Sequence, residues 1–440
     1  MPQQTPTLIR AVGRWSLAAL MLNTVIGSSI FGMPSLLAAR LGSSSPTGYL
    51  VTALGIGAVA ACLAEVASQF SEAGGPYLYA RVAFGPFVAI QIGWLTWLTR
   101  IAAAAGVADL FVVYLVPFVP AADSGIVRAA TLAVMVAAPG VANYRGVMSG
   151  TRLSNFFTLT KVLVIALFIA TGSAALLFHP ALRVAPLPVA ATWGHWLEAV
   201  LLMVNSFGGF EAAFFLSGEA RDPRKDGPVA LLIALTTATF LYAAVQYIVI
   251  HSLPAATTAA RPVADAAQRF LGPLGASLIA GGALLSAYGS VSANLLHTPR
   301  LTFAMAEQGD FPRFFARVHP RFRTPSVSIV TFAILLVAFS VAGNFQWNVT
   351  LSAVSRLFIY ASIALALPVL RKRSPAAHAY RLPGAAFFVA VALCFTAVLV
   401  VKIPPSGLMV LAATFVLACA NWLWGRRSGF GGAVPDQKQE

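Results

Sequence analysis

Long apolar runs fill this chain, and their number leaves little room for any fold but a helical membrane bundle. About 20 apolar residues suffice for a helix to cross a bilayer. Twelve such runs are read, at about 15–41, 47–70, 86–118, 126–143, 153–178, 194–219, 228–252, 273–299, 325–342, 347–370, 383–401 and 405–424. The expected fold class is all-α and integral to the membrane, with twelve transmembrane helices. Of 440 residues, 58% are hydrophobic and only 10% are charged, too few to clothe a soluble globule of this length.

The formal net charge of +15 would suggest nucleic acid in a soluble chain. Its distribution argues otherwise. The loops and tails on the side of the termini hold about 20 Arg and Lys, against about 6 on the opposite side. The positive-inside rule then places both termini in the cytoplasm. The partner expected is the lipid bilayer, with no role for nucleic acid. The first apolar run lacks an A-x-A site, so a cleaved leader is not expected.

Two of the apolar runs are broken in the middle. The first break is Gly27-Ser28-Ser29-Ile30-Phe31-Gly32, with Pro34 just beyond. The second is Asn205-Ser206-Phe207-Gly208-Gly209-Phe210-Glu211. In lipid, a helix surrenders backbone hydrogen bonds only where the freed groups are buried in protein or line a cavity. Paired interruptions at corresponding places in two halves point to the binding site of a transporter built from inverted repeats.

The run arithmetic agrees. Spans one to five and six to ten form two blocks of five, an odd number, so the second block lies inverted. The organisation expected is a tail at 1–14, a first repeat at 15–178, an extracellular loop at 179–193 and a second repeat at 194–370. Helices eleven and twelve follow with their basic loop at 371–424, and a cytoplasmic tail fills 425–440.

The chemistry of the breaks follows from helix ends. Gly27 and its small neighbours weaken the first helix, and Pro34 fits the first turn of the helix that resumes. That N-terminus presents free N–H groups and a partial positive charge, which suits a carboxylate. The expected donors are Ser28, Ser29 and Ile30, with the Val25 carbonyl upstream as an acceptor for an ammonium group. At the second break the Gly208-Gly209 pair releases carbonyls near Asn205, Phe207 and Gly208, also suited to an ammonium. Together the breaks describe a zwitterion clamp. The competing reading is a small-residue packing seam between helices.

These motifs resemble the amino acid–polyamine–organocation superfamily. Gly27-Ser28-Ser29-Ile30-Phe31 is similar to that family's Gly-Ser-Gly-Ile-Phe motif, departing at Ser29. Phe207-Gly208-Gly209-Phe210-Glu211, followed by Gly218-Glu219-Ala220-Arg221-Asp222-Pro223, resembles its sixth-helix pattern. The run from Pro299 to Pro312, continuing to Arg323-Thr324-Pro325, resembles its eighth-helix end and loop. The likeness covers about 15–370. It implies a LeuT-like five-plus-five inverted repeat with discontinuous helices 1 and 6, plus helices 11 and 12. It also implies amino acid or amine substrates and alternating access.

Ionisable groups inside spans are costly and usually functional or paired. Lys161 lies in span five. The resemblance implies that a lysine there replaces the sodium ion of sodium-coupled relatives, bonding the free carbonyls of span one. Arg100 lies in span three, which by the resemblance lines the substrate cavity; it meets substrate or pairs with Glu211 or Asp109. Glu211 is read as a brace for the broken helix. Asn294 lies near the family's cavity-facing positions in span eight, and shares a helix face with His297. Glu65 is expected at the inner interface, and Arg356 at an outer gate or in a satisfied pair.

Cys62, Cys394 and Cys419 lie within apolar runs, and the histidines show no metal spacing, so no disulfide framework, metal or cofactor is expected. With no phosphate loop, triad or nucleotide fingerprint, an enzyme or ATP-driven pump is not expected. The expected function is secondary active amino acid transport, coupled to protons or to exchange rather than to sodium, in a prokaryotic inner membrane. Two alternatives stay open: a polyamine or other organic amine transporter of the same fold, and a membrane receptor that binds an amino acid without moving it.

Overall fold

A computed structural model describes residues 25–70, 75–146, 151–186, 188–210, 223–373 and 380–427, with a few isolated positions before 25. The expected N-terminal tail, the expected C-terminal tail beyond Arg427, and residues 211–222 with Glu211 lie outside the described residues, while 425–427 continue the last helix. Among the described residues all regular structure is helical. The principal helices are α1 (Ser29–Leu41), α2 (Ser45–Ser68), α3 (Gly75–Phe84), α4 (Pro86–Leu115), α5 (Gly125–Tyr144), α6 (Thr151–Phe178) and α7 (Trp193–Ser206). They continue with α8 (Pro223–Ser252), α9 (Pro262–Glu307), α10 (Ser326–Ala342), α11 (Phe345–Arg373), α12 (Ala385–Val400) and α13 (Pro405–Arg427).

Eight helical stretches are long and apolar enough to cross a membrane, one of them the 40-residue stretch Ser29–Ser68. Helices α10 and α12 are apolar but shorter, and α1 and α7 are short because each abuts a break. By that measure the described residues give a multi-pass helical bundle without reaching the expected twelve crossings.

Local sequence explains most ends. Gly85, at φ +88°, separates α3 from α4, and Pro86 opens α4 where its missing N–H costs nothing. The Thr192 hydroxyl caps α7, accepting the His195 N–H at 3.3 Å. Three features differ from expectation. Helix α3 is additional. Stretch α9, Pro262–Glu307, has non-helical backbone at Gly272 (φ +70°), so a short helix precedes the expected run at 273–299, which itself continues to Glu307. Pro34 is the third: it stands inside α1 beyond the first turn. A proline there takes a bond from the turn before it, and the Tyr114 hydroxyl supports that turn by donating to the Phe31 carbonyl at 2.8 Å.

Helix α1 packs on α7, α2 on α8, α4 on α9, and α5 on α10. Helix α4 also runs against α11, and α6 against α9. The centre is aromatic and tight. Tyr49 stacks on Tyr242 at 5.3 Å, and the Phe207 ring meets Tyr242 edge-on at 5.7 Å. A Cβ on Gly32 would lie 2.7 Å from Phe345 and 2.8 Å from Leu110.

Two buried carboxylates tie the ends of α11. Near its start, Asp109 accepts from Arg128 at 2.6 Å and from Asn348 at 2.9 Å, joining α4, α5 and α11. Asp109 is therefore held by Arg128, not by Arg100. Near the other end, Glu65 receives Arg371 at 2.6 and 2.7 Å and the Leu382 N–H at 2.7 Å. Glu65 is buried, and this fork and the backbone donor replace its water. Asn348 and Arg371 are about 35 Å apart at 1.5 Å per residue, slightly more than a ~30 Å hydrocarbon core.

Removing Glu65 strands a guanidinium and a backbone N–H. Glu65→Ala is expected to lower stability by roughly 2–4 kcal/mol, below the fully buried limit because Arg371 is partly exposed. The half-exposed Lys402–Glu198 pair at 3.4 Å is worth less than about 1 kcal/mol by comparison. Unfolding of the purified variants Glu65→Ala and Lys402→Ala in one detergent checks the order; equal losses would contradict it.

Candidate binding site at two helix breaks

The chain leaves helical geometry at Ile26-Gly27-Ser28 and resumes at Ser29. Two carbonyls are released and both are answered. The Val25 carbonyl accepts the Gly27 N–H at 2.7 Å and the Tyr242 hydroxyl at 2.9 Å. The Ile26 carbonyl accepts the Lys161 ammonium at 2.7 Å. Among the described residues no backbone carbonyl receives the N–H groups of Ser28, Ser29 or Ile30. They stand at the positive end of α1.

Hydroxyls surround these donors. Ser28 Oγ lies 3.2 Å from both Ser286 Oγ and Ser290 Oγ on α9. Ser29 Oγ accepts from Asn205 Nδ2 at 3.3 Å, which joins the first break directly to the second.

Helix α7 ends at Ser206, and Phe207–Gly209 form a turn before helical geometry returns at Phe210. Gly209 has φ +110°, a conformation that side chains rarely adopt. The Ser206 carbonyl accepts the Tyr242 hydroxyl at 2.8 Å, and the Asn205 carbonyl accepts the Gly208 N–H at 3.1 Å. Tyr242 therefore shares one hydroxyl proton between the two breaks. Among the described residues, Asn205 Oδ1 and the carbonyls of Phe207 and Gly208 have no donor.

The expected residues divide accordingly. Ser28, Ser29, Ile30, Asn205, Phe207 and Gly208 come together, flanked by Gly27, Gly209 and Lys161. Val25 differs from expectation: its carbonyl already accepts two donors, which fills both lone pairs. Asn294 donates to the Ser290 carbonyl of its own helix at 2.9 Å, one turn beyond the serine that meets Ser28. Arg100 is half-buried on α4, with His297 of α9 as a charge neighbour. Arg356 is buried, its guanidinium laid against Gly208. Glu211 lies outside the described residues.

Sequence reasoning missed Tyr242, Ser286 and Ser290. The residues themselves lie in apolar runs without interrupting them. The spacing Ser286, Ser290, Asn294 places all three on one face of α9, a polar stripe that was available.

Tyr242→Phe keeps the ring and deletes the shared donor. It is expected to lower ligand-free stability by about 1–3 kcal/mol, since two buried carbonyls lose a partner. Thermal unfolding without ligand checks this; an unchanged transition would mean that the hydroxyl contributes nothing.

Comparison with known proteins identifies the family. A family model for amino acid permeases matches residues 12–423. The chain is 29% identical to a methylthioribose transporter of Bacillus subtilis, over 86% of this chain and 85% of that protein. It is 27% identical to the branched-chain amino acid permease BcaP of the same organism, over 90% and 89% of the two chains. Identity is also 27% with the Bacillus subtilis serine/threonine exchanger SteT, over 86% and 87%. With these matches and its apolar helices, the chain belongs to the amino acid permease family and is a multi-pass membrane transporter, not an enzyme.

Proposed function

We propose that this chain is a secondary active transporter that binds an α-amino acid between the two helix breaks and moves it by alternating access. One observation carries the reading. The N–H groups of Ser28, Ser29 and Ile30 have no backbone acceptor among the described residues, and the Ser29–Asn205 bond joins their helix end to the second break. The donors suit a carboxylate, and the acceptors at Asn205, Phe207 and Gly208, which have no donor among the described residues, suit an ammonium. The relatives named for branched-chain amino acids and for serine and threonine support this substrate class.

The helix pairing supports a LeuT-like inverted repeat of five plus five, with α12 and α13 appended. Under that reading α1 and α7 are spans one and six. The observed pairs α1–α7, α2–α8, α4–α9 and α5–α10 then join span one to six, two to seven, three to eight and four to nine. Exchanging the repeats turns α4–α11 into α9–α6, and both contacts exist. Under the same reading of twelve crossings, the distribution of Arg and Lys favours cytoplasmic termini.

The Lys161 ammonium on Ile26 supports coupling to protons or to exchange: a built-in cation occupies the place of an external one. Ser28 and Phe207 are fully buried, whereas Gly27, Asn205 and Gly208 are half-buried, so helices must part before the Ser28 end of the site can be loaded. A second reading has its own support: the relative named for methylthioribose implies a polar solute without an α-amino acid head.

A thermal-shift screen of the twenty amino acids, common polyamines and methylthioribose separates these readings. A ligand at about 100 times its Kd adds about 2.7 kcal/mol to the folded state. α-Amino acids are expected among the hits; their complete absence would overturn the reading. Counterflow of the labelled hit in proteoliposomes then distinguishes transport from binding alone. Lys161→Gln removes a charge-assisted bond worth about 1.5–3 kcal/mol, so counterflow is expected to fall about tenfold or more. An unchanged rate with an unchanged pH profile would remove Lys161 from the mechanism.

A further inference from the structure

The first break has a buried cation from α6; the second has one from α11. A Cβ built on Gly208 would lie 2.3 Å from Arg356 Cζ and 2.5 Å from both Nη1 and Nη2. The guanidinium therefore rests on the backbone of the turn, and a side chain at 208 would have to displace it. Arg356 is 3% exposed. It stands where α7 ends, so it meets the negative pole of that helix. Lys161 meets the last turn before the first break in the same sense, through the Ile26 carbonyl.

The match goes further. In the five-plus-five reading α6 is the fifth helix of the first repeat and α11 the fifth of the second. Lys161 lies about eleven residues into α6 and Arg356 about twelve into α11. Each repeat thus lays a buried cation from its fifth helix against the break in its own first helix.

We infer that Arg356 is the second repeat's counterpart of Lys161, a positioning residue whose guanidinium, packed on Gly208, holds the turn at 207–209 in its ligand-binding geometry. This rests on the inverted-repeat reading above. Arginine stays charged in proteins, so the counter-charge at the second break is permanent. Its planar fork covers a backbone turn that a lysine's point charge covers less completely.

The test is a double-mutant cycle on the full chain with Gly208→Ala and Arg356→Gln, read first as ligand-free melting temperature. Gly208→Ala is expected to lower the transition clearly beside the native arginine and much less beside glutamine, which leaves room for the Cβ. Additive shifts would overturn the contact and with it the inference. This arm needs no substrate, so it stands even if amino acids prove not to be the cargo. Should Arg356→Gln fail to purify, Arg356→Lys closes the same cycle.

The second arm is counterflow of radiolabelled L-leucine and L-serine. Arg356→Gln is expected to raise KM about tenfold with a smaller change in maximal rate, and Arg356→Lys to recover part of the loss. A wild-type KM in Arg356→Gln would overturn the positioning role. Absence of wild-type counterflow for both probes would count against the amino acid reading and leaves the melting cycle to decide the Arg356 contact.

Discussion

A peptide group set loose inside a membrane bundle must find a partner, and the centre of this protein is organised by that requirement. Water is absent from the hydrocarbon layer, so each unpaired N–H or C=O there costs several kcal/mol. The two breaks release a set of such groups at one place because α1 packs on α7. Two surrounding helices answer released carbonyls, α8 with the Tyr242 hydroxyl and α6 with the Lys161 ammonium, while the Ser286 and Ser290 hydroxyls of α9 meet the Ser28 side chain. The breaks exist because these helices supply the missing chemistry, and the helices are fixed about the breaks for the same reason.

What remains after that exchange defines the site. The upstream carbonyls at Val25, Ile26 and Ser206 are all occupied. Among the described residues, the donors left without an acceptor are the N–H groups at the head of α1, and the acceptors left without a donor lie at and past the end of α7. The two helix ends present opposite poles to one another. For the candidate site this leaves acceptors at the second break, whereas the residues by themselves had offered them on both.

The legible parts were those that disturb an apolar background. Gly27, Ser28 and the Gly208-Gly209 pair interrupt hydrophobic runs, and Lys161 is a charge where charge is rare. Each stands out without a structure. Tyr242 does not, because a tyrosine in a membrane helix looks alike whether it faces lipid or holds two carbonyls. Its importance comes from α8 passing both breaks, which no local pattern records. Asp109 shows the same gap: its partner Arg128 comes from the next helix. The added lengths of α9 were hidden for another reason. The piece before Gly272 is a separate short helix with mixed composition, and at the other end hydropathy stops at 299 while the helix continues to Glu307. Helix α3, only ten residues long and opening on Gly75-Pro76, carries too weak a signal to separate from a loop.

The strengths of the bonds around the breaks indicate where motion would be resisted. The contacts of Ser28 with α9 and of Ser29 with Asn205, at 3.2 to 3.3 Å, are long neutral bonds. By contrast, the links among α4, α5 and α11 at Asp109, and between α2 and α11 at Glu65, are short and charge-assisted. A frame held by ionic bonds thus surrounds a pair of half-helices held mostly by weak ones. The bond from Lys161 to Ile26 is the exception, joining the first break to α6 with charge at 2.7 Å. If the half-helices part from the frame as alternating access requires, that bond is the dearest at the first break to give up. Its rupture then sets the barrier that a bound substrate, or a change in the charge of Lys161, must lower.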